Sequence, residues 1–272
     1  MPVTLEAPTP QQPDLVLEVS GVSLSFNGVK AISDLSFKVA QGEICALIGP
    51  NGAGKSSLLN ILNGVYVPDQ GEIVFAGEHF RRMHPLEAAR RGIGRGFQNN
   101  ALFRGMSVID NVIAGLSRRQ TASLVEEALL LPRARRQERA FRDRARAVLA
   151  LFGLEAVAET TVSSLPYGVQ KKVEIARAIV AEPKLLLLDE PLAGMNAGEK
   201  QEIAAAIARL NRDLGLTIVL IEHDIGIVLK LAHHVVVLDY GRKLADGAPD
   251  TIRDNPDVIA AYLGKQTSER AA

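Results

Sequence analysis

An α/β fold, with a mostly parallel core sheet, a small antiparallel β subdomain and a helical insertion, is predicted by three features of this 272-residue sequence. Short apolar runs recur, each stopping at a polar residue that opens a helical pattern. Alternating strands cluster near the start of the chain. Residues 107–181 carry helical patterns without convincing strands. The length allows one large domain with a sizeable core.

The elements follow in chain order. Residues 1–14 hold Pro2, Pro8, Pro10 and Pro13 among polar residues, and read as a flexible tail. Leu17 to Phe26, Ile32 to Val39 and Glu72 to Phe75 read as strands of a small antiparallel sheet. Glu43 to Ile48 is an apolar run that breaks at Gly49 and leads into a helical stretch, Lys55 to Leu62. Two more such units follow: Lys184 to Leu188 ends in Asp189 and Glu190, and Thr217 to Ile221 ends in Glu222 and His223. Polar residues at strand ends are where open α/β sheets bind ligands. The helix after Glu190 starts at the capping pair Asn196 and Glu199, and Ile203, Ile207, Leu210 and Leu214 line one face before Gly215. One domain over 15–264 is expected, with a helical subdomain at about 99–181 and a flexible tail over 265–272.

Composition excludes several classes. Lys plus Arg and Asp plus Glu number 31 each, so the chain lacks the basic excess of general nucleic-acid binders, and no nucleic-acid partner is expected. No apolar stretch reaches the roughly 18 to 20 residues of a membrane span. The single cysteine, Cys45, can form no internal disulfide, and its place in an apolar run points to burial. Seven arginines between Pro132 and Ala147 read first as a solvated helix face, and second as a contact for lipid headgroups or an acidic partner. His79, His84, His233 and His234 have no partner nameable from sequence, and no metal site is inferred from them.

Chemistry enters at Gly49-Pro50-Asn51-Gly52-Ala53-Gly54-Lys55-Ser56, which fits GxxxxGK[ST] between an expected strand and an expected helix. In such a phosphate loop glycines let backbone N–H groups surround a phosphate, and the helix N-terminus adds positive potential. Lys55 neutralises β- and γ-oxygens, Ser56 ligates Mg²⁺, and Ser57 follows on the same turn. Gly92, Gly94 and Gly96 have the wrong spacing for GxGxxG and follow no evident strand. Leu185 to Leu188, Asp189 and Glu190 form a Walker B pattern, with Asp189 for the metal shell and Glu190 to polarise a water.

The order of the remaining motifs narrows the class. Leu165-Pro166-Tyr167-Gly168-Val169-Gln170 lies just before Walker B, and here the chain resembles the ATP-binding cassette (ABC) ATPases, which are P-loop NTPases. The resemblance spans about Leu15 to Gly264. By it, Tyr167 and Gly168 fall in the signature motif, and Gln98 is the Q-loop residue that meets nucleotide and metal. Ala193 to Asn196 falls in the D-loop, and His223 is the switch histidine beside the γ-phosphate. Phe26, 23 residues before Gly49, matches the aromatic that stacks on adenine. Alone, Gln98 reads as a surface amide and Phe26 as a core aromatic; the shared order gives them these roles.

The resemblance implies an ATPase using ATP and Mg²⁺. It implies a second ABC ATPase subunit, identical or related, whose signature motif completes each site. It also implies integral membrane permease subunits, with Asn99 to Val108 as the contact segment, and indirectly a solute-binding protein. A peripheral place on the cytoplasmic face of the inner membrane follows. The Tyr167-Gly168 signature and the ending Asn255 to Gly264 resemble branched-chain amino-acid importers; urea and aromatic-acid importers and the lipopolysaccharide-export ATPase are similar too, so the solute stays open. Pro166 replaces the signature serine and Val169 its glutamine. Losing a hydroxyl to a charged phosphate costs about 1.5–3 kcal/mol, roughly 10- to 100-fold in affinity or rate. Gly168 keeps its backbone N–H, so an active, permease-dependent ATPase is expected.

Overall fold

The computed structural model describes residues 14–80, 82–96, 102–129 and 131–269. The chain opens with strands β1 (Leu15–Phe26) and β2 (Val29–Ala40), then β3 (Ile44–Ile48) runs into helix α1 (Lys55–Leu62). Strands β4 (Gln70–Phe75) and β5 (Glu78–Phe80) precede α2 (Pro85–Arg91) and β6 (Ile93–Gly96). Helices α3 (Val108–Ala114), α4 (Leu124–Ala128), α5 (Pro132–Leu151) and α6 (Tyr167–Ile179) follow. The remainder alternates: β7 (Leu185–Asp189), α7 (Ala197–Leu214), β8 (Thr217–Ile221), α8 (Ile225–Leu231), β9 (His234–Asp239), β10 (Arg242–Gly247), α9 (Pro249–Arg253) and α10 (Pro256–Glu269).

Two sheets result. One is antiparallel, in the order β2-β1-β4-β5; the other runs β10-β9-β3-β8-β7-β6 and is parallel except for β10. The central strands are buried on both faces, which is why they read as unbroken apolar runs. Along β3, Ile44, Ala46 and Ile48 enter the core shared with α3, α6 and α7. Cys45 and Leu47 enter the core beneath α1 and the antiparallel sheet. Leu185 to Leu188 divide between the two cores in the same alternating way. Asn196 and Glu199 form a reciprocal capping box at the start of α7, and Gly215 ends it in a left-handed conformation.

Three readings change. Ile93–Gly96 is a strand, parallel to β7, although its glycines hide it: a Cβ at Gly94 would lie 3.0 Å from Pro183, and one at Gly96 2.9 Å from Leu188. Helix α10 runs to Glu269, past Gly264 where the sequence sets the end of the domain. Three of the histidines have partners: His79 Nδ1 meets Glu72 at 2.7 Å, His233 Nδ1 accepts the Ile44 N–H at 3.0 Å, and His234 bridges Glu43 and Asp246. Burial pushes the Cys45 thiol well up, with Glu43 and Asp246 adding to the effect, so it stays a neutral apolar filler. No helix among the described residues is long and apolar enough to cross a membrane.

Candidate functional site

The phosphate loop leaves the fully buried β3 at Gly49, where φ is +145° and a Cβ would fall 2.0 Å from the Leu238 carbonyl oxygen. Only glycine fits there. Gly54, also left-handed at φ +97°, opens α1 without any side-chain cap. The first amides of the helix therefore have no intrahelical acceptor and point outward, the arrangement that receives an anion. Lys55 is buried and folds back over the loop, its Nζ donating to the carbonyls of Gly49 (2.7 Å) and Pro50 (2.9 Å).

Strands β7 and β8 deliver the acid and the imidazole. Asp189 pairs with Ile221 across the two strands, so Glu190 and His223 emerge side by side at the C-terminal edge of the sheet. His223 Nε2 meets Glu190 Oε1 at 2.9 Å. Together with Asn51 to Ser57 and Ala31 they line one cleft of about 200 Å³. Phe26, Tyr167 and Gly168 are not among its walls. Phe26 is half exposed at the end of β1, with its ring edge-on to Tyr66 at 5.1 Å. Tyr167 and Gly168 open α6 behind Pro166, which gives no side-chain cap. There they pack on the segment after β7, a Cβ at Gly168 lying 3.1 Å from Glu199 and one at Gly194 3.5 Å from the Tyr167 ring. Gln98 lies outside the described residues.

Asp189 is buried, and burial pushes its carboxyl above the usual range while the Arg95 guanidinium pulls it back. Oδ2 receives Arg95 Nη2 at 3.4 Å; Oδ1 is buried without a hydrogen-bond partner. An unspent carboxylate oxygen within the field of Lys55, one residue before Ser56, fits a hard cation that takes few protein ligands and completes its shell with phosphate and water. No group of three His, Cys, Asp or Glu among the described residues would hold a metal by itself.

Two residues here escape the sequence reading. Arg95 bridges Asn60 of α1, at 2.6 Å, and Asp189. Its place between two glycines and just before Gln98 was the available signal. Glu222 is buried and accepts the N–H groups of Leu192 (2.8 Å) and His223 (3.3 Å), tying the segment after Glu190 to the end of β8. Burial pushes its carboxyl up, against those two N–H groups.

Residues 32–193 match the family described as ABC transporter, and residues 242–267 match branched-chain amino acid ATP-binding cassette transporter. The chain is 39% identical over 250 residues to BraF, the high-affinity branched-chain amino acid transport ATP-binding protein of Pseudomonas aeruginosa, a match covering 92% of this chain and 98% of the relative. LivG of Escherichia coli, of the same description, is 40% identical with the same coverage. Among solved structures, the ADP conformation of an ATP-binding cassette of an ABC transporter superposes with a TM-score of 0.81 at 28% identity, covering 92% of this chain and 99% of the other. A nucleotide-free ATP-binding cassette gives 0.79 at 27% identity, covering 91% and 98%.

Proposed function

Because this chain belongs to the ABC transporter family of ATP-binding cassettes, we propose that it hydrolyses ATP to drive import of branched-chain amino acids through a membrane permease. The observation that carries this reading is the cleft where the phosphate loop, Glu190 and His223 converge while the signature residues stand apart from it. A triphosphate entering the cleft meets the first amides of α1, Lys55 to Ser57, and Lys55 exchanges two backbone carbonyls for β- and γ-oxygens. Ser56 and Asp189, with Gln98, would hold Mg²⁺, which when bound neutralises charge on those oxygens. Glu190 takes the proton of a water aimed at the γ-phosphorus, and His223, already bonded to Glu190, holds that carboxylate in place. Phe26 offers an exposed ring for adenine.

Tyr167 and Gly168 lie outside the cleft of their own chain, so they serve the cleft of a second ABC ATPase subunit. ATP joins the pair and hydrolysis releases it. A groove of about 480 Å³, lined by Arg95, Phe103, Gly115, Arg118 and Arg177, lies between the core sheet and the helical subdomain. Phe103, in its wall, belongs to the segment Asn99 to Val108, the proposed permease contact, of which 99–101 lie outside the described residues. The subunit would thus sit on the cytoplasmic face of the inner membrane, and a solute-binding protein would act through the permease.

The test is co-purification with the permease in vesicles, followed by a screen of solutes with the matching binding protein. Leucine, isoleucine or valine is expected to raise ATP turnover. Stimulation by lipid alone would overturn the import reading.

A further inference from the structure

Helix α4 is inside out for an element that faces water. Its acids are half-buried and already engaged: Glu126 closes the capping box with Ser123 and pairs with Arg133, and Glu127 accepts from Gln120 Nε2. Its apolar residues turn outward. Val125 and Leu129, one turn apart, are 66% and 65% exposed, and Leu131, at the start of α5, is 40% exposed. Directly after them come the seven arginines of α5. Four meet carboxylates: Arg133 with Glu126, Arg142 with Asp110 and Glu159, Arg144 with Glu182, and Arg146 with Glu159. Arg135, Arg136 and Arg139, exposed in the first two turns, pair with no carboxylate among the described residues, Glu138 and Asp143 of the same helix included. The start of a helix favours acids, and α5 has none in its first turn, so these cations do not serve the helix itself. The surface next to them is the one assigned to the permease: its groove shares Ala114 and Ser117 with a cavity of about 360 Å³ whose wall includes Glu127 and Arg135.

We infer that the apolar side of α4 and these three arginines form a contact surface for the anionic lipid of the membrane that holds the permease. A bilayer surface answers both halves of the patch: headgroup phosphates take the guanidiniums, and Val125, Leu129 and Leu131 leave water for the boundary of the acyl chains. A purely acidic protein surface satisfies only the arginines. That this face is turned to the membrane rests on the permease-groove reading, so the surface is tested without permease. The chain has no tryptophan, and Leu129→Trp therefore installs a sole reporter in the full chain. Phosphatidylglycerol vesicles are expected to shift its emission to the blue and shield it from iodide, high salt to reverse both, and phosphatidylcholine vesicles to do neither. Arg135→Gln, Arg136→Gln and Arg139→Gln together weaken vesicle binding about 10- to 100-fold without lowering the melting temperature. A reporter at the exposed end of α7, Leu214→Trp, stays silent. No shift at position 129 with the anionic vesicles, an equal shift with both lipids, or an equal shift at position 214 overturns the proposal. Should Leu129→Trp not fold, the unsubstituted chain is expected to float with phosphatidylglycerol vesicles and the arginine variant to stay behind; failure to float overturns it as well. Binding to detergent-solubilised permease that the arginine variant loses, with no vesicle binding, assigns the patch to a protein partner and overturns the lipid surface. Vesicle binding by a chain that does not bind the permease overturns the permease-groove reading instead and leaves the lipid surface standing.

Discussion

Glu190 sits at φ +49°, in the left-handed region, where a long side chain costs about 1–3 kcal/mol. The strain persists because the backbone is over-determined: the Glu190 N–H donates to Ile221, its carbonyl takes Ala193, and buried Glu222 pins Leu192. The outcome is a carboxylate turned from the end of β7 toward His223 and the phosphate loop. Glu190→Gln preserves this shape and removes the base. Turnover is expected to fall by about 10²–10⁴, with nucleotide affinity retained and an ATP-loaded dimer accumulating in size-exclusion chromatography. Wild-type turnover in this variant would remove Glu190 from the chemistry and point to a scaffold role instead.

At the scale of elements, the hairpin of β9 and β10 is closed by His234 of β9 and Asp246 of β10, with Glu43 3.5 Å from the other ring nitrogen. The hydrogen bond to Asp246 raises the His234 pKa above its ordinary value, and the same bond lowers that of Asp246. A raised histidine contributes stability that is full below its unfolded value near 6.5 and is lost as pH climbs through the folded value. The lowered aspartate contributes above its unfolded value and loses that contribution in acid. His234→Gln is therefore expected to melt about 2–4 °C lower at pH 6, a loss of roughly 1 kcal/mol, with the gap narrowing as pH rises toward 9. A gap independent of pH would assign His234 to packing alone. Of this hairpin only β10, half-exposed, gives no pattern in the sequence; Val235 to Leu238 of β9 is an apolar run buried on both faces that the sequence reading passes over. Nor does β6 give one, since its glycines are there for close packing. By contrast β3, β7 and β8 announce themselves, since a strand buried on both faces must be apolar throughout. In α5 the solvated-face reading agrees with the ion pairs of Arg133, Arg142 and Arg146 with Glu126, Asp110 and Glu159, each with at least one partner open to solvent and worth little.

At the scale of the molecule, the candidate site divides in two. The loop, Glu190 and His223 share a cleft, whereas Tyr167 and Gly168 open α6 and line no part of it. The sequence named both halves; that they do not meet within one chain is a fact of the fold. If each ATP is held between the loop of one subunit and the signature of another, two damaged chains can repair each other across a two-fold interface. Lys55→Ala removes the cation that reaches the phosphates. Gly168→Asp adds a carboxylate to a position where even a Cβ lies 3.1 Å from Glu199, and puts negative charge beside a phosphate. Each variant alone is expected to be inactive with the permease. In an equimolar mixture half of the dimers combine the two, and one of their two sites draws its loop and its signature from undamaged copies. Roughly a quarter of the wild-type sites are thereby restored, read as recovered analogue binding and, with the permease, recovered turnover. A site complete within one chain predicts no recovery at any mixing ratio, so a flat titration of one variant into the other would exclude the shared arrangement.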